Sequence, residues 1–319
     1  MIQISVVVPI FNEEESLPEL TQWISRVMNQ HGFSYEVILI NDGSTDHSWE
    51  VIQTLSGTNK FLKGLNFTRN YGKSAALDAG FKRAEGEVVI TMDADLQDSP
   101  DEIPGLYEMI KGGLDVVSGW KKDRHDPISK TIPSKFFNGV TRWISGIQLN
   151  DFNCGLKAYR NKVVKNITIY GEMHRYIPLL AKWNGFSKIG EKVVQHQARK
   201  YGYSKFGLER FLNGFLDLIS VSFVHRYKKK PMHFFGALGT LSFLSGFLIT
   251  CWLIFEKIYG LSRGIKVREI VDQPLFFLAL VAIVVGVQLF VTGFIAELMT
   301  SSNSKEAEYK IDEEINFDF

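Results

Sequence analysis

From Ile4 to about Asp123, the pattern of apolar and polar residues predicts strands and helices in turn. The strand-like runs are short and rich in β-branched residues: Ile4–Ile10, Tyr35–Ile40, Lys63–Phe67, Val88–Met92 and Asp115–Ser118. Helical spacing marks the segments between them: Glu14–Gln30, Asp46–Leu55, Ser74–Ala84 and Pro100–Lys111. This alternation predicts an α/β fold with a mostly parallel sheet and helices on both faces.

Two long uncharged runs lie near the end of the chain, Phe234–Phe255 and Pro274–Ala296. Each has about 22 residues, enough to cross a hydrocarbon core of roughly 30 Å at about 1.5 Å per residue. We therefore expect two transmembrane helices, at about 232–256 and 274–298. Glycines at 236, 239 and 246 predict that the helices approach closely.

Two segments with apolar residues at helical spacing, 130–146 and 207–224, predict amphipathic helices. The second leads into Arg226 and Lys228–Lys230, which favours a helix at the bilayer interface. For the first, core packing and the interface stay equal alternatives. The predicted organisation is an α/β domain over 1–205, an amphipathic juxtamembrane helix over 206–230, two transmembrane helices within 231–300, and an acidic mobile tail over 301–319.

Composition narrows the class of protein further. A formal net charge of +1 over 319 residues gives no field that marks a nucleic-acid binder. The two cysteines, Cys154 and Cys251, are too few for a disulfide framework or a zinc site. The first residues read as a strand and not as a signal peptide, because no basic region or small-residue cleavage site is present.

The most informative chemistry follows the strand-like run at Val88–Met92, where Asp93 and Asp95 stand one residue apart with Gln97 and Asp98 beyond. In an open parallel sheet the carboxyl ends of strands face the ligand crevice. Carboxylate and amide oxygens suit Mg²⁺ or Mn²⁺ held together with substrate phosphates. The alternative is a solvated turn, since a lone Asp-x-Asp is common there.

Three further motifs lie at predicted strand ends. Pro9 lies near the end of the first strand, where it removes a hydrogen-bond donor from the sheet. Asn12 or Glu13, just beyond the strand, can cap the next helix or contact a ligand. Asp42 follows the second, placed to accept hydrogen bonds from a ribose or base, although capping turns also use Asp-Gly-Ser. Lys73 opens a predicted helix after Gly72, which suits a phosphate. Each motif is weak alone, but their order along the chain is a strong signal.

Together these motifs resemble the GT-A glycosyltransferases of family 2, and within them the polyprenyl-phosphate hexosyltransferases of the dolichyl-phosphate mannose synthase and bactoprenyl-phosphate glucosyltransferase type. The likeness runs from residue 3 to residue 299. It includes further segments with matching residues: Asp93–Glu102, Lys121–Arg124, Ser134, Asp151–Arg160, Glu172–Arg175 and Arg199–Phe206. Lys121 stands where the family usually has Arg, which weakens bidentate phosphate binding there.

The resemblance implies a Rossmann-like GT-A catalytic domain and an enzyme that moves one hexose from a nucleotide-diphospho-sugar to a polyprenyl phosphate such as undecaprenyl phosphate, with inversion. It implies a metal site, Mg²⁺ or Mn²⁺, formed by Asp93, Asp95 and Gln97. The implied nucleotide-sugar-binding residues are Pro9, Asn12, Glu13, Asp42, Lys73, Asp93, Arg199 and Lys205. Asp95, Asp151 and Glu172 are the implied catalytic residues, and for the last two a base and a positioning role both stay open.

Cations are needed for the acceptor phosphate, and the expected set is Lys121, Arg124, Ser134, Lys135, Arg142 and Arg175, with the serine as a hydroxyl donor. For each, a solvated surface role is an equal alternative. We expect UDP-glucose as donor, with GDP-mannose as the alternative, and a non-catalytic nucleotide-sugar-binding scaffold as the rival class. Gly139 replaces the Gln of the Gln-x-x-Arg-Trp signature of processive synthases, which favours one sugar per turnover. The resemblance also implies a homo-oligomer in the inner or plasma membrane with its catalytic domain in the cytoplasm.

Overall fold

The computed structural model describes residues 2–122, 138–197, 200–201 and 230–302. The chain divides into two compact units, Met1–Leu218 and Ile219–Phe319. The predicted domain boundaries at 205, 230 and 300 remain predictions. Of the two predicted amphipathic segments, 207–224 and the first half of 130–146 lie outside the described residues.

The first unit contains a seven-stranded sheet with the order β3-β2-β1-β4-β6-β5-β7. Its strands are β1 Ile4–Ile10, β2 Tyr35–Asn41, β3 Leu62–Asn66, β4 Val88–Thr91, β5 Val116–Trp120, β6 Lys157–Arg160 and β7 Ile189–Val193. Only β6 runs against its neighbours, β4 and β5, while every other adjacent pair is parallel. The predicted α/β class is confirmed, with a sheet that is mixed because of this one reversed strand.

Helices follow most of the strands. They are α1 Leu17–Gln30, α2 Ser48–Thr58, α3 Lys73–Arg83, α4 Ile103–Lys111, α5 over 138–145, α6 Asn161–Lys165 and α7 Ile177–Trp183. The predicted first helix begins three residues later than expected, with Pro18 in its first turn, a position where proline costs no hydrogen bond. Residues Pro100–Glu102 form a 3-10 turn ahead of α4. Strands β6 and β7 and helices α6 and α7 were not among the predicted elements.

Both faces of the sheet are covered by helices. On one face, buried residues of α1 and α4 such as Leu20, Ile24 and Leu106 join Val6 and Val8 in the main core. On the other, α3 contacts β1 and β2. There Gly80 lies so close to the sheet that a β-carbon would sit 3.1 Å from Ile40 Cδ1. This packing fixes the start of α3 at the edge of the sheet where β1, β2 and β4 end.

The second unit is a pair of long helices, α8 Pro231–Ser262 and α9 Pro274–Ser302. Both are long and apolar enough to cross a membrane, as the sequence predicted. Glycines line the contact: a β-carbon on Gly239 would lie 2.7 Å from Gly286 O, and one on Gly286 would lie 2.6 Å from Phe243 N. Ser242 Oγ donates a hydrogen bond across the pair to Ala282 O at 2.8 Å. The predicted close approach is therefore observed at Gly239, and Gly246 lies similarly against Ala279 and Ile283.

Candidate active site

Several polar groups meet where β1, β2 and β4 end. Asp42 follows β2, Asp93 lies two residues beyond β4, and Lys73 begins α3. Because β6 is antiparallel to β4, the segment 151–156 that leads into β6 arrives at this same edge. Thr91 Oγ1 donates a hydrogen bond to Gly155 O at 2.8 Å, which ties that segment to the end of β4.

Asp93 lies between a lysine and a glycine. Lys73 Nζ forms an ion pair and hydrogen bond with Asp93 Oδ1. On Gly155, a β-carbon would lie 2.6 Å from Asp93 Cγ, so only glycine leaves room for this carboxylate. Burial opposes the charge of Asp93, but the positive charges of Lys73, Lys121 and His174 outweigh burial and lower its pKa to about 2. Asp93 is therefore a fixed carboxylate that stays ionised at any physiological pH.

The residues after Asp93 turn back toward the end of β7. Leu96 adopts a left-handed conformation at φ 59°, and Asp95 Oδ1 accepts a hydrogen bond from the Gln97 amide at 3.2 Å. The Gln197 amide donates to Gln97 O at 2.9 Å. A tight turn of this kind presents two carboxylates and an amide from five consecutive residues at one strand end.

Asp98 is buried, and its carboxylate forms an ion pair with a lysine. Lys121 Nζ lies 2.7 Å from Asp98 Oδ1, with 14% of the lysine side chain exposed. Asp98 Oδ2 has no hydrogen-bond partner among the described residues. Burial raises the pKa of Asp98, the Lys121 charge pulls it down, and the charges of Asp93 and Asp95 add to the increase. Lys121, predicted to bind the acceptor phosphate, thus forms an ion pair with Asp98 instead. The sequence motifs did not predict this pair.

The donor set is suited to a divalent cation. Asp93 and Asp95 supply carboxylates and Gln97 an amide oxygen, and hard oxygen ligands of this kind fit Mg²⁺ or Mn²⁺. Asp98, whose Oδ2 has no hydrogen-bond partner among the described residues, follows them in the chain. Within the described ranges, no three His, Cys, Asp or Glu side chains converge as a ready cation cage. The set fits a cation that is shared with substrate oxygens.

Asp42 fixes the loop that precedes α3. Its two carboxylate oxygens accept hydrogen bonds from the Tyr71 amide at 2.7 Å and the Gly72 amide at 2.9 Å. Burial raises the pKa of Asp42, and these two hydrogen bonds only partly offset the increase. Gly43, at φ 65°, approaches the same loop so closely that a β-carbon would lie 2.7 Å from Arg69 Cα. The predicted ligand of a ribose or base therefore also anchors the start of α3.

The predicted residues after β1 form contacts with the loop after β2. Asn12, at φ 57°, accepts a hydrogen bond at Oδ1 from the Thr45 amide at 2.8 Å. The Glu13 amide donates to Ser48 Oγ at 3.0 Å. Pro9 pairs with Ile40 in the register of β1 and β2 and lies beyond the last residue of β1 that pairs with β4. These residues shape the edge of the crevice between β1 and β2.

A third group of predicted residues lies on the 3-10 turn Met173–Tyr176 and just before it. Ser74 Oγ accepts a hydrogen bond from the His174 amide at 3.0 Å and lies 3.1 Å from His174 Nδ1. Arg175 lies 3.6 Å from Glu172 Oε2, and 12% of the arginine side chain is exposed. Together with Lys73 and Lys157, His174 and Arg175 line a small cavity next to Gly155. This turn therefore brings an arginine and a histidine side chain to the Asp93 region.

Asp151 is buried at the start of the segment that reaches Asp93. Its Oδ1 accepts a hydrogen bond from the Asn153 amide at 3.0 Å, and its carbonyl accepts one from Ser118 Oγ at 3.1 Å. Arg142 lies on α5 and is partly exposed. The remaining predicted residues lie outside the described ranges: Arg124, Ser134, Lys135, Arg199 and Lys205.

Two residues at the site were not predicted. Lys157, the first residue of β6, is 3% exposed, and its ammonium donates to Cys154 O. Burial lowers the pKa of Lys157. Gly155 belongs to the segment Asp151–Arg160, whose motif assigns it no role. The available signals were a lysine at the start of the short run Lys157–Arg160 and a glycine two residues before it.

Comparisons with known proteins agree with this geometry. The family model described as Glycosyl transferase family 2 matches residues 5–171, a range that includes Asp42, Lys73, Asp93 and Gly155. The chain is 38% identical over 302 residues to dodecaprenyl-phosphate galacturonate synthase of Rhizobium johnstonii, which covers 93% of this chain and 88% of that protein. It is 35% identical over 297 residues to undecaprenyl-phosphate 4-deoxy-4-formamido-L-arabinose transferase of Aeromonas hydrophila, with 92% and 87% covered.

Among solved structures, the chain is similar to glucosyl-3-phosphoglycerate synthase from Mycobacterium tuberculosis, crystallised with Mn²⁺ and uridine-diphosphate-glucose. The TM-score is 0.55 at 19% identity, with 70% of this chain and 78% of that chain covered. At this identity the likeness establishes the shared GT-A-like fold.

Proposed function

The chain belongs to glycosyl transferase family 2, and from that premise we propose that it transfers one sugar from a nucleotide-diphospho-sugar to a polyprenyl phosphate in the membrane. The observation that carries this proposal is the extent of its likeness to two relatives named as polyprenyl-phosphate sugar enzymes. That likeness covers 92–93% of the chain, including the part that holds the two apolar helices. A lipid acceptor explains why a glycosyltransferase domain is followed by such helices.

The reaction is a single displacement. An anionic oxygen of the acceptor phosphate forms a bond to the anomeric carbon, while the bond from that carbon to the β-phosphate oxygen breaks and its electron pair leaves with the nucleoside diphosphate. One displacement inverts the anomeric configuration. The second pKa of a phosphate monoester is about 6, so the acceptor is largely ionised near neutral pH and needs no strong general base.

Different residues near the end of β4 would bind the metal ion, the diphosphate and the nucleoside. Asp93, Asp95 and Gln97 would hold Mg²⁺ or Mn²⁺, which when bound acts as a Lewis acid toward the donor's diphosphate. Lys73, at the start of α3, is suited to the same diphosphate, since helix N-termini and lysines both favour phosphate. Asp42 holds the loop before α3 and, with Asn12 and Glu13, lines the crevice where we expect the nucleoside.

For the acceptor, Arg175 and His174 are candidate phosphate-binding side chains on the turn beside the Asp93 region. Glu172 pairs with Arg175, which favours a positioning role for this acid over proton abstraction. Buried Asp151 is bound to the amide of Asn153, and the same role suits it. Lys121 is held by buried Asp98, so its contribution to the acceptor phosphate would require that pair to open.

The sugar is the least constrained part of the proposal. UDP-glucose is the donor expected from sequence, but the relatives act on a galacturonate and on a formamido-arabinose, as their names state. We therefore extend the proposed donors to a nucleotide-linked uronic acid and an amino-pentose derivative. Three basic side chains, Lys73, Lys157 and Arg175, lie close together beside Gly155, which gives a physical reason to include an acidic sugar.

The decisive experiment uses the purified full-length protein with polyprenyl phosphate, Mn²⁺ or Mg²⁺, and a panel of nucleotide sugars that includes UDP-glucose, GDP-mannose and UDP-galacturonate. Mass analysis of the lipid fraction should find a polyprenyl-phosphate sugar with one of them. Asp95→Ala and metal chelation should each remove turnover, whereas Asp101→Ala, an exposed carboxylate paired with Arg26, should not. Nucleotide binding without lipid-dependent release of nucleoside diphosphate would instead favour a scaffold.

A further inference from the structure

Lys73 occupies the position on Asp93 that a metal ion would need. Its ammonium contacts Asp93 Oδ1, while Gly155 lies against the same carboxylate. Asp42 fixes the backbone on the N-terminal side of Lys73 through the amides of Tyr71 and Gly72. The lysine can therefore leave Asp93 only by swinging its flexible side chain, of which 28% is exposed.

A divalent cation on Asp93 and the Lys73 ammonium would be like charges on one carboxylate. Lys121 adds further positive charge near Asp93, although it is itself paired with Asp98. A displaced Lys73 can pair with an anion at the N-terminus of α3, because a helix N-terminus and a lysine both favour phosphate. A donor diphosphate supplies such an anion at the moment when the metal arrives with it.

We propose that Lys73 is an internal counter-ion that neutralises Asp93 in the donor-free enzyme and transfers to the donor's diphosphate when metal and donor bind. This inference rests on the proposed function. It makes Lys73 a positioning residue with two opposite effects: it weakens binding of the metal alone, and it strengthens binding of the nucleotide. Metal and nucleotide then bind cooperatively. The nucleotide draws Lys73 away from Asp93 and so frees the carboxylate for the metal, and the metal in turn releases Lys73 to bind the nucleotide's diphosphate.

The test measures the affinity of the full-length protein in detergent for Mn²⁺ in the absence of nucleotide. Electron paramagnetic resonance detects the bound Mn²⁺. We expect Lys73→Met to bind Mn²⁺ alone at least about fivefold more tightly than the wild type, at the low end of typical coupling. The same variant should bind UDP or GDP more weakly in the presence of Mn²⁺. Adding Asp93→Asn to Lys73→Met distinguishes a gain at Asp93 from metal binding by misfolded protein, which would persist in the double variant.

Three further variants make the result specific. Lys73→Arg keeps the charge and should leave Mn²⁺ affinity near the wild-type value. Lys82 lies on the same helix but pairs with Asp78. Lys82→Met should therefore also leave the Mn²⁺ affinity unchanged. Adding Asp93→Asn to Lys73→Met should abolish the gain, because the gain acts through Asp93.

Two outcomes separate the inference from the proposed function. If the wild type forms glycolipid but Lys73→Met binds Mn²⁺ no more tightly than Lys82→Met, the counter-ion role is wrong and the proposed function stands. If the wild type forms no glycolipid with any donor in the panel, the proposed function fails, and with it the catalytic meaning of the exchange.

Discussion

Gly155 determines how closely the chain can approach Asp93. Its φ lies outside the left-handed region, so its need for glycine comes from space and not from backbone conformation. A β-carbon would lie 2.6 Å from Asp93 Cγ and 2.9 Å from Asp93 Oδ1. Even alanine must therefore move either the carboxylate or the segment that leads into β6.

We expect Gly155→Ala to reduce turnover by about 100-fold, the typical cost of displacing a reacting group by about 1 Å. Gly139→Ala is the matched control, because nothing lies within 4 Å of a β-carbon there and alanine is the better helix former on α5. Steady-state rates of glycolipid formation measure both variants. A wild-type rate for Gly155→Ala would show that the position of the Asp93 carboxylate is not critical.

At the scale of single residues, the sequence predicted some of the side-chain contacts in the candidate site but not others. Asp93 and Lys73 were expected near one another because both follow strand ends of a parallel sheet, and they form an ion pair. Lys121 was expected to face an acceptor phosphate, yet it pairs with buried Asp98. The pairing joins residues 23 positions apart, with a 3-10 turn, α4 and β5 between them, and no local pattern reveals how these elements bring the two side chains together.

At the scale of elements, β6 decides what reaches the site. An antiparallel strand inserted between β4 and β5 begins where β4 ends, which brings the Asp151–Leu156 segment to Asp93. The motif in the sequence indicated that this segment is functional, but the apolar pattern predicted no strand after it. Lys-Ala-Tyr-Arg is only four residues long with charged ends, and strand direction leaves no trace in such a short run.

At the amino ends of the strands, opposite the candidate active site, lies a buried polar network that contains no proposed catalytic residue. Glu36 on β2, 1% exposed, accepts hydrogen bonds at Oε1 from Ser5 Oγ at 2.6 Å and the Glu85 amide at 2.8 Å. Lys63 on β3 pairs with Glu36 Oε2 at 2.5 Å. This network links β1, β2, β3 and the turn before β4, so its expected role is stability.

We predict that Glu36→Gln lowers the free energy of unfolding by about 1–3 kcal/mol, the usual cost of weakening a buried charged hydrogen-bond network. Turnover per folded molecule should be unchanged because the network lies at the amino ends of the strands. Denaturant unfolding and a rate assay on the same preparation measure the two effects. A loss of rate without a loss of stability would contradict this assignment.

The same variant has a pH signature. Burial opposes the charge of Glu36, but the hydrogen bonds from Lys63, Ser5 and the Glu85 amide outweigh it and lower the pKa. The unfolded-state pKa is about 4.3, so the ionised network stabilises the native state fully above that pH and loses its effect as the pH falls through the native value. The stability difference between the wild type and Glu36→Gln should thus shrink on acidification. A difference that grows on acidification would reverse the sign assigned here.

At the scale of the whole molecule, the apolar helices pack through glycine. The contact at Gly239 and Gly286 leaves no room for any side chain, since the nearest atoms of the facing backbone would lie 2.6–2.8 Å from a β-carbon. We expect Gly286→Val to destabilise the helix pair by about 1–3 kcal/mol through overpacking. Thermal unfolding in detergent should show a lower midpoint, whereas Val284→Leu at an exposed position should leave it unchanged.

Topology is the last property that follows from this pair. If both helices cross the bilayer, residues before 231 and after 302 lie on one side, and the short connection after Ser262 lies on the other. Positive charges do not decide the side, because Lys228–Lys230 precede α8 while the connection carries Arg263, Lys266 and Arg268. We propose that the catalytic domain is cytoplasmic because nucleotide sugars are made there.

In inside-out vesicles, a cytoplasmic catalytic domain faces the medium and the connection over 257–273 faces the lumen. Protease added outside should therefore leave this connection intact until detergent opens the vesicles, while the α/β domain is digested at once. The ion pair between Lys257 and Glu269 lies within the protected segment, so a tag for detection is best placed beside exposed Lys266, away from Gly264 with its left-handed backbone at φ 67°. Cleavage of the tag in sealed inside-out vesicles would place the nucleotide-sugar site on the opposite face.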